Sequence, residues 1–105
     1  MVEKEIIETD ECLAFRAELN ASEISEYLHA RTQLAENGYL AYPYAEKVES
    51  DLFAIRIRKG GNARFFYCYD DGTYVWILNG YEKKSMMIPG KEIKKALNIK
   101  KELGL

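Results

Sequence analysis

The clearest periodicity in the chain lies between residues 20 and 38. Ile24, Leu28 and Ala35, flanked by Tyr27 and Leu34, recur near helical spacing. Asn20-Ala-Ser-Glu23 ahead of them reads as a capping box, in which the Asn side chain accepts from the Glu23 N–H and Glu23 reaches back. Asn37-Gly38 supplies a left-handed stop. The pattern predicts a helix from the capping box to about Glu36. Upstream, Thr9 or Asp10 caps a shorter helix running to about Leu19, with Leu13 available to face the core. Residues 3–8 (EKEIIE) leave an edge strand and a fraying arm both open. The first third is therefore a helical hairpin.

The period then changes. Tyr39 to Asp51 reads as a loop, because Pro43 forbids a helix there. From Leu52 to Arg58 the pattern alternates: Phe53, Ile55 and Ile57 point one way, Ala54, Arg56 and Arg58 the other. Gly60-Gly61-Asn62 is a turn, and Arg64 to Tyr69 a second strand dense in aromatic residues. In it Tyr67 and Tyr69 share a face with Phe65, while Phe66 sides with Arg64. Asp70-Asp71-Gly72 is a tight hairpin turn, and Tyr74 to Tyr81 a third strand. After a loop from Lys83 to Pro89, a last helix runs from Gly90 or Lys91 to about Leu103. Its apolar stripe is Ile93, Ala96 and Leu97, and Pro89 stands where a missing N–H does no harm. The expected architecture is α+β: an N-terminal helical hairpin on a twisted antiparallel sheet of three to four strands, closed by a C-terminal helix.

Composition narrows the class. With 105 residues, 48% hydrophobic and 30% charged, the expectation is one domain spanning residues 1–105, with a core that needs no staples. No apolar run approaches the ~18 residues of a membrane span. The N-terminus has no apolar signal region, so a cytoplasmic protein is expected. Cys12 and Cys68 are too few and too far apart for a disulfide scaffold or a CxxC site, and read as buried thiols. His29, the single histidine, has no partner at ligand spacing and reads as a surface or packing residue. No metal site and no cofactor are expected.

Charge changes the picture further. Residues 1–52 carry four basic side chains against twelve acidic, net −8, and residues 53–105 carry eleven against five, net +6. The whole-chain value of −2 therefore hides a positive C-terminal half able to present an anion-binding face. Arg56 and Arg58 share one strand face, and Arg64 opens the next strand across a short turn. Two readings follow: surface salt bridges with N-terminal acids, or a clamp that matches phosphate bidentately. Lys83 and Lys84 extend the patch beyond the third strand. A tyrosine left on the basic face can stack on a base. There is no Walker loop and no Ser/His/Asp set.

The string from Gly38 to Ala96 resembles the phage-derived HigB-like toxins of the RelE/ParE superfamily. The resemblance is carried by Leu52-Phe53-Ala54-Ile55-Arg56, then Arg64-Phe65-Phe66-Tyr67, then Val75 through Gly80-Tyr81-Glu82-Lys83-Lys84, and Pro89 ahead of Glu92-Ile93 and Ala96. The family pattern has an acid before the strand arginine, where this chain has Ala54, and His where this chain has Asn79. Asn forms hydrogen bonds but does not shuttle a proton. The RelE branch carries a loop tyrosine where this chain has Ser85, Met86, Met87 and Ile88.

The resemblance implies a toxin of a type II toxin–antitoxin pair, partnered by a helix-turn-helix antitoxin (HigA-like) and acting on mRNA at the ribosome. The implied reaction is attack of an RNA 2′-OH on the adjacent phosphate in the A site. It needs positioning, charge neutralisation and proton transfer rather than a metal. Arg56, Arg58, Arg64, Lys83 and Lys84 then form the catalytic set, and Tyr67, Asn79 and Tyr81 bind RNA. The alternatives are a ParE-like gyrase inhibitor and a catalytically inert prophage module that binds an antitoxin.

Overall fold

The structure, a computed structural model, describes residues 3–49, 51–59, 62–70, 72–84 and 88–105. Along the chain follow β1 (Glu5–Glu8), α1 (Asp10–Arg16), α2 (Ala21–Asn37), β2 (Ala45–Glu49), β3 (Leu52–Arg56), β4 (Ala63–Tyr69), β5 (Tyr74–Glu82) and α3 (Gly90–Glu102). The strands form one sheet in the order β1-β5-β4-β3-β2. Pairs β2–β3, β3–β4 and β4–β5 are antiparallel. β1 lies parallel to β5, so the sheet is mixed, with five strands rather than three or four.

The local signals act as their chemistry dictates. Thr9 caps α1 by accepting from the Cys12 N–H, and Asn20 and Glu23 form the reciprocal capping box of α2. Gly38, at φ 77°, ends α2 in the left-handed region. The buried line of α2 is Tyr27, Ala30 and Leu34, so Leu28, expected inside, stands exposed. In α1 the buried residue is Cys12, and Leu13 faces outward. Each correction rotates a helix by about one residue. The apolar stripes were broad enough for either neighbour to face inward, and docking chose between them.

Helices cover both faces of the sheet. Under α1 and α2 lie Ile55, Phe65, Tyr67, Val75 and Ile77, with Phe53 and Tyr69 half-buried beside them. Under α3, Ala96, Ile93 and Leu97 meet Leu52, Ala54, Phe66, Cys68 and Leu78. This double cover explains why β4 reads as a nearly unbroken apolar run.

The segment expected to be a loop from Tyr39 to Asp51 contains β2. It was hidden because Glu46, Lys47 and Glu49 break the apolar pattern, as charges on an edge strand commonly do. Of residues 3–8, Glu5–Glu8 form an edge strand. The turns expected at Gly60-Gly61 and Asp71 lie outside the described residues, as do Ser85, Met86 and Met87. No described helix is long and apolar enough to cross a membrane. Both cysteines are buried and free.

Candidate functional site

One irregularity in the sheet decides which side chains meet. On β5, Trp76 sits opposite Cys68 and Ile77 opposite Tyr67, but the next pair is Asn79 opposite Phe66. Leu78 is an extra residue, a β-bulge. Strict alternation from Trp76 would place Gly80 toward α3 and turn Asn79 and Tyr81 toward α1. The bulge reverses this: Leu78 and Tyr81 both join the α3 side, and Gly80 faces Phe15 of α1. The Thr9 hydroxyl, already capping α1, also donates to the Leu78 carbonyl and ties the helix to the bulge.

Two rows of side chains result on the α3 side of the sheet. One runs Glu46, Ala54, Phe66, Asn79 across four strands; the next runs Arg56, Arg64, Tyr81 across three. Arg56 and Arg64 are direct cross-strand partners. Like charges opposite each other destabilise a sheet unless something compensates. Glu46 does so for Arg64, its Oε1 3.5 Å from Nε, with the two side chains 29% and 8% exposed. Arg56 donates from Nη1 to the Pro43 carbonyl at 3.4 Å. The salt-bridge reading holds for Arg64, which an N-terminal acid does pair, although the arginine is buried rather than on the surface.

Tyr81 stacks on Phe66 at 5.2 Å between ring centroids. Burial pushes its phenol up to about 12; Arg64 pulls down, while Glu46 and Glu92 push up. The group therefore stays protonated at neutral pH and is a donor. Its hydroxyl and both polar atoms of Asn79, a residue only 1% exposed, have no hydrogen-bond partner among the described residues. Buried polar groups left this way cost about 1–3 kcal/mol each, and such violations gather at functional positions.

The remaining basic residues form a rim. Arg58 lies just past β3 and is exposed. Lys83 is half-buried, its N–H bonded to the Asn62 carbonyl, and Lys84 is exposed at the mouth of a cleft shared with Tyr81, Lys91 and Glu92. Tyr67 is separated from the group. It is buried on the opposite face, stacked on Phe53 and edge-on to Tyr69, and offers no surface to a base. Alternation alone puts it there, one residue out of phase with Arg64 and Phe66.

Glu46 is the residue that sequence reading missed, since its segment was read as a loop. It is the Cα partner of Ala54.

The arginines of the N-terminal half are spoken for elsewhere. Arg16 and Arg31 both pair with Glu8, at 3.0 and 3.4 Å, and Tyr27 donates to the same carboxylate at 2.7 Å. That cluster lies beneath the helical hairpin and leaves the basic end of the sheet to the C-terminal half. Among the described residues no group of His, Cys, Asp and Glu is arranged to hold a metal ion.

Helices on both faces of a mixed five-stranded sheet, with a basic end where β3, β4 and β5 meet, make this an α+β fold. Residues 15–101 match the family described as phage derived protein Gp49-like (DUF891), and the chain belongs to that family. No curated protein matches its sequence. Among solved structures it is similar to a double-arginine mutant of the E. coli toxin RelE in the free state. The TM-score is 0.70 at 13% identity, over 92% of this chain and 97% of that one. A chain of the toxin–antitoxin complex RelBE2 from Mycobacterium tuberculosis aligns at TM-score 0.49 and 20% identity, over 78% of this chain and 100% of that one. The likeness to RelE is one of fold.

Proposed function

We propose that this chain is a HigB-like toxin of a type II toxin–antitoxin pair, a metal-independent endoribonuclease cutting mRNA in the ribosomal A site. In this reading it works in the cytoplasm and is held in check by a helix-turn-helix antitoxin. The carrying observation is the Glu46–Arg64 pair, set beside Arg56 and Tyr81 on one face.

The chemistry follows from those groups. Glu46 takes the proton of the RNA 2′-OH as its oxygen attacks phosphorus. Protonation of Glu46 removes one negative charge from beside Arg64 as the phosphorane gains negative charge, so attraction to the transition state grows when it is needed. Arg56 shares that charge. The Tyr81 phenol, held protonated by burial, gives its proton to the departing 5′-oxygen. The bond from O2′ to phosphorus forms and that to O5′ breaks, leaving a 2′,3′-cyclic phosphate and a 5′-hydroxyl. Asn79 takes a positioning role through its unspent amide, and Arg58, Lys83 and Lys84 bind flanking phosphates. Glu46 supplies what neither Asn79 nor Ala54 does, a titratable base.

The test is cleavage of mRNA on 70S ribosomes with an empty A site, read by primer extension. Naked mRNA and Arg64→Ala protein, checked for folding by circular dichroism, serve as controls. A cut inside the A-site codon, on ribosomes only, is expected. Losing one transition-state charge contact costs about 2.7–4 kcal/mol, or ~10²–10³ in rate. No cut by folded protein, or an Arg64→Ala effect under about twofold, overturns the reading. DNA damage signalling without mRNA cleavage would instead point to gyrase, and absence of growth arrest to an inert module.

A further inference from the structure

Outside these two rows of side chains, a cavity of about 280 Å³ opens between α2 and the segment 39–44 that leads into β2. Its walls include Ala30, Leu40 and the rings of Tyr39 and Tyr44, which are 58% and 45% exposed. Gln33 and Asn37 line it from α2, joined by a hydrogen bond from Asn37 Nδ2 to Gln33 Oε1 at 2.9 Å. That bond leaves the Gln33 amino group and the Asn37 carbonyl oxygen as an adjacent donor and acceptor. Arg56 lines the cavity too, although its strand position belongs to the α3 side. It stands at the boundary between the cavity and the proposed cleavage face. Its Nε is buried without a hydrogen-bond partner among the described residues.

We propose that this cavity is a nucleobase subsite, taking the base of a nucleotide next to the phosphate held by Arg56 and Arg64. The inference rests on the nuclease reading for its orientation, and its chemistry is local. Flat aromatic walls suit a π-face, because stacking on tyrosine is tolerant of base identity. The paired amides offer one donor and one acceptor to the polar edge of a base. A phosphate is disfavoured inside, because the Glu26 carboxylate lines the cavity, where it accepts from the Lys59 N–H at 2.7 Å. Arg56 reaches in from the side toward the arginine row, and His29 lines the wall formed by α2. A base in the cavity and its phosphate on Arg56 is the arrangement that satisfies both. An apolar protein side chain would fill the walls but leave the amide pair and Arg56 Nε unspent.

The test uses backbone-amide NMR titration of the isolated protein with AMP, GMP, CMP and UMP, alongside the ribosome cleavage assay. Nucleotide binding is expected to shift Ala30, Asn37 and Ala41, and the exposed-residue variant Tyr39→Ala/Tyr44→Ala is expected to weaken it about tenfold or more. The same variant is expected to cut the ribosomal substrate about tenfold more slowly and with altered preference for the neighbouring nucleotide. Shifts confined to the sheet face, or none, overturn the subsite. So does a cleavage rate and pattern unchanged by the double variant, which would leave the nuclease reading standing. Nucleotide shifts at the cavity in a protein that never cleaves would sink the nuclease and keep the subsite. Loss of antitoxin neutralisation in the double variant, with nucleotide binding intact, would mark the cavity as a protein contact and overturn the proposal.

Discussion

Replacing Gly80 by Ala puts a methyl carbon 2.2 Å from Phe15 Cδ2, and 2.8 and 2.9 Å from Cγ and Cε2 of the same ring. Carbon atoms in contact sit ~3.5–4.0 Å apart, so the ring must retreat by more than an ångström. It has little room, because Phe65 meets it edge-on at 5.3 Å between centroids. Cγ is the root of the ring rather than a mobile tip, so relief requires a new rotamer or a shift of α1. Overpacking of this kind costs about 1–3 kcal/mol. In an ordinary strand the same substitution acts the other way, gaining about 0.5–1 kcal/mol by removing glycine's backbone freedom. The sign of the measured change therefore decides. Urea unfolding is expected to show a lower midpoint at unchanged slope, and the melting temperature is expected to fall by about 4–8 °C per kcal/mol. In a Phe15→Ala background the obstacle is gone, and Gly80→Ala is expected to be neutral or stabilising; the difference is the coupling between the two sites. A Gly80→Ala protein as stable as its parent would refute the reasoning, as would an equal loss with Phe15 removed. Because Gly80 stands between Asn79 and Tyr81, the experiment also probes the bulge that orients them.

Glu46→Gln keeps the shape of the proposed base and removes its proton acceptor; single-turnover cleavage is expected to drop about 10²–10⁴-fold, and an unaltered rate would exclude Glu46 as the base. Burial raises the thiols of Cys12 and Cys68 to about 11 and the Tyr81 phenol to about 12. The folded state thus holds these protons more tightly than unfolded chains, whose values lie near 9 for Cys and 10 for Tyr. Their contribution to stability is complete below about pH 9 and is lost as pH rises through 11–12, which urea midpoints measured from pH 8 to 11.5 should trace. For the same reason Ellman's reagent at pH 8 is expected to find no reactive thiol until denaturant is added; prompt labelling would contradict the burial. Glu8→Gln breaks the pairing with Arg16 and Arg31 beneath the hairpin. A loss of about 1–3 kcal/mol in unfolding free energy is expected, and a change within experimental error would show those pairs to be incidental.

What the sequence determined by itself was local. The capping box at Asn20 and Glu23, the left-handed stop at Gly38, the alternation of β3 and the proline ahead of α3 each act within a few residues, so their physics is complete in the sequence. The phase of β4, which separates Tyr67 from Arg64, was legible for the same reason. The resemblance to HigB-like toxins likewise rested on order and spacing along the chain. Tertiary structure decided whatever depends on a partner strand. A charged segment became β2 only because β3 offered a ladder, and that pairing set Glu46 opposite Ala54 and within reach of Arg64. The direct opposition of Arg56 and Arg64 depended on register, which hydrophobic alternation does not specify when both faces of a strand are buried. The extra residue at Leu78 is invisible in a run of apolar side chains, yet it reverses the facing of Asn79 and Tyr81 and brings them to the arginines. The sequence carried the inventory of charges and aromatic rings; strand pairing, and one bulge in it, decided which of them share a surface.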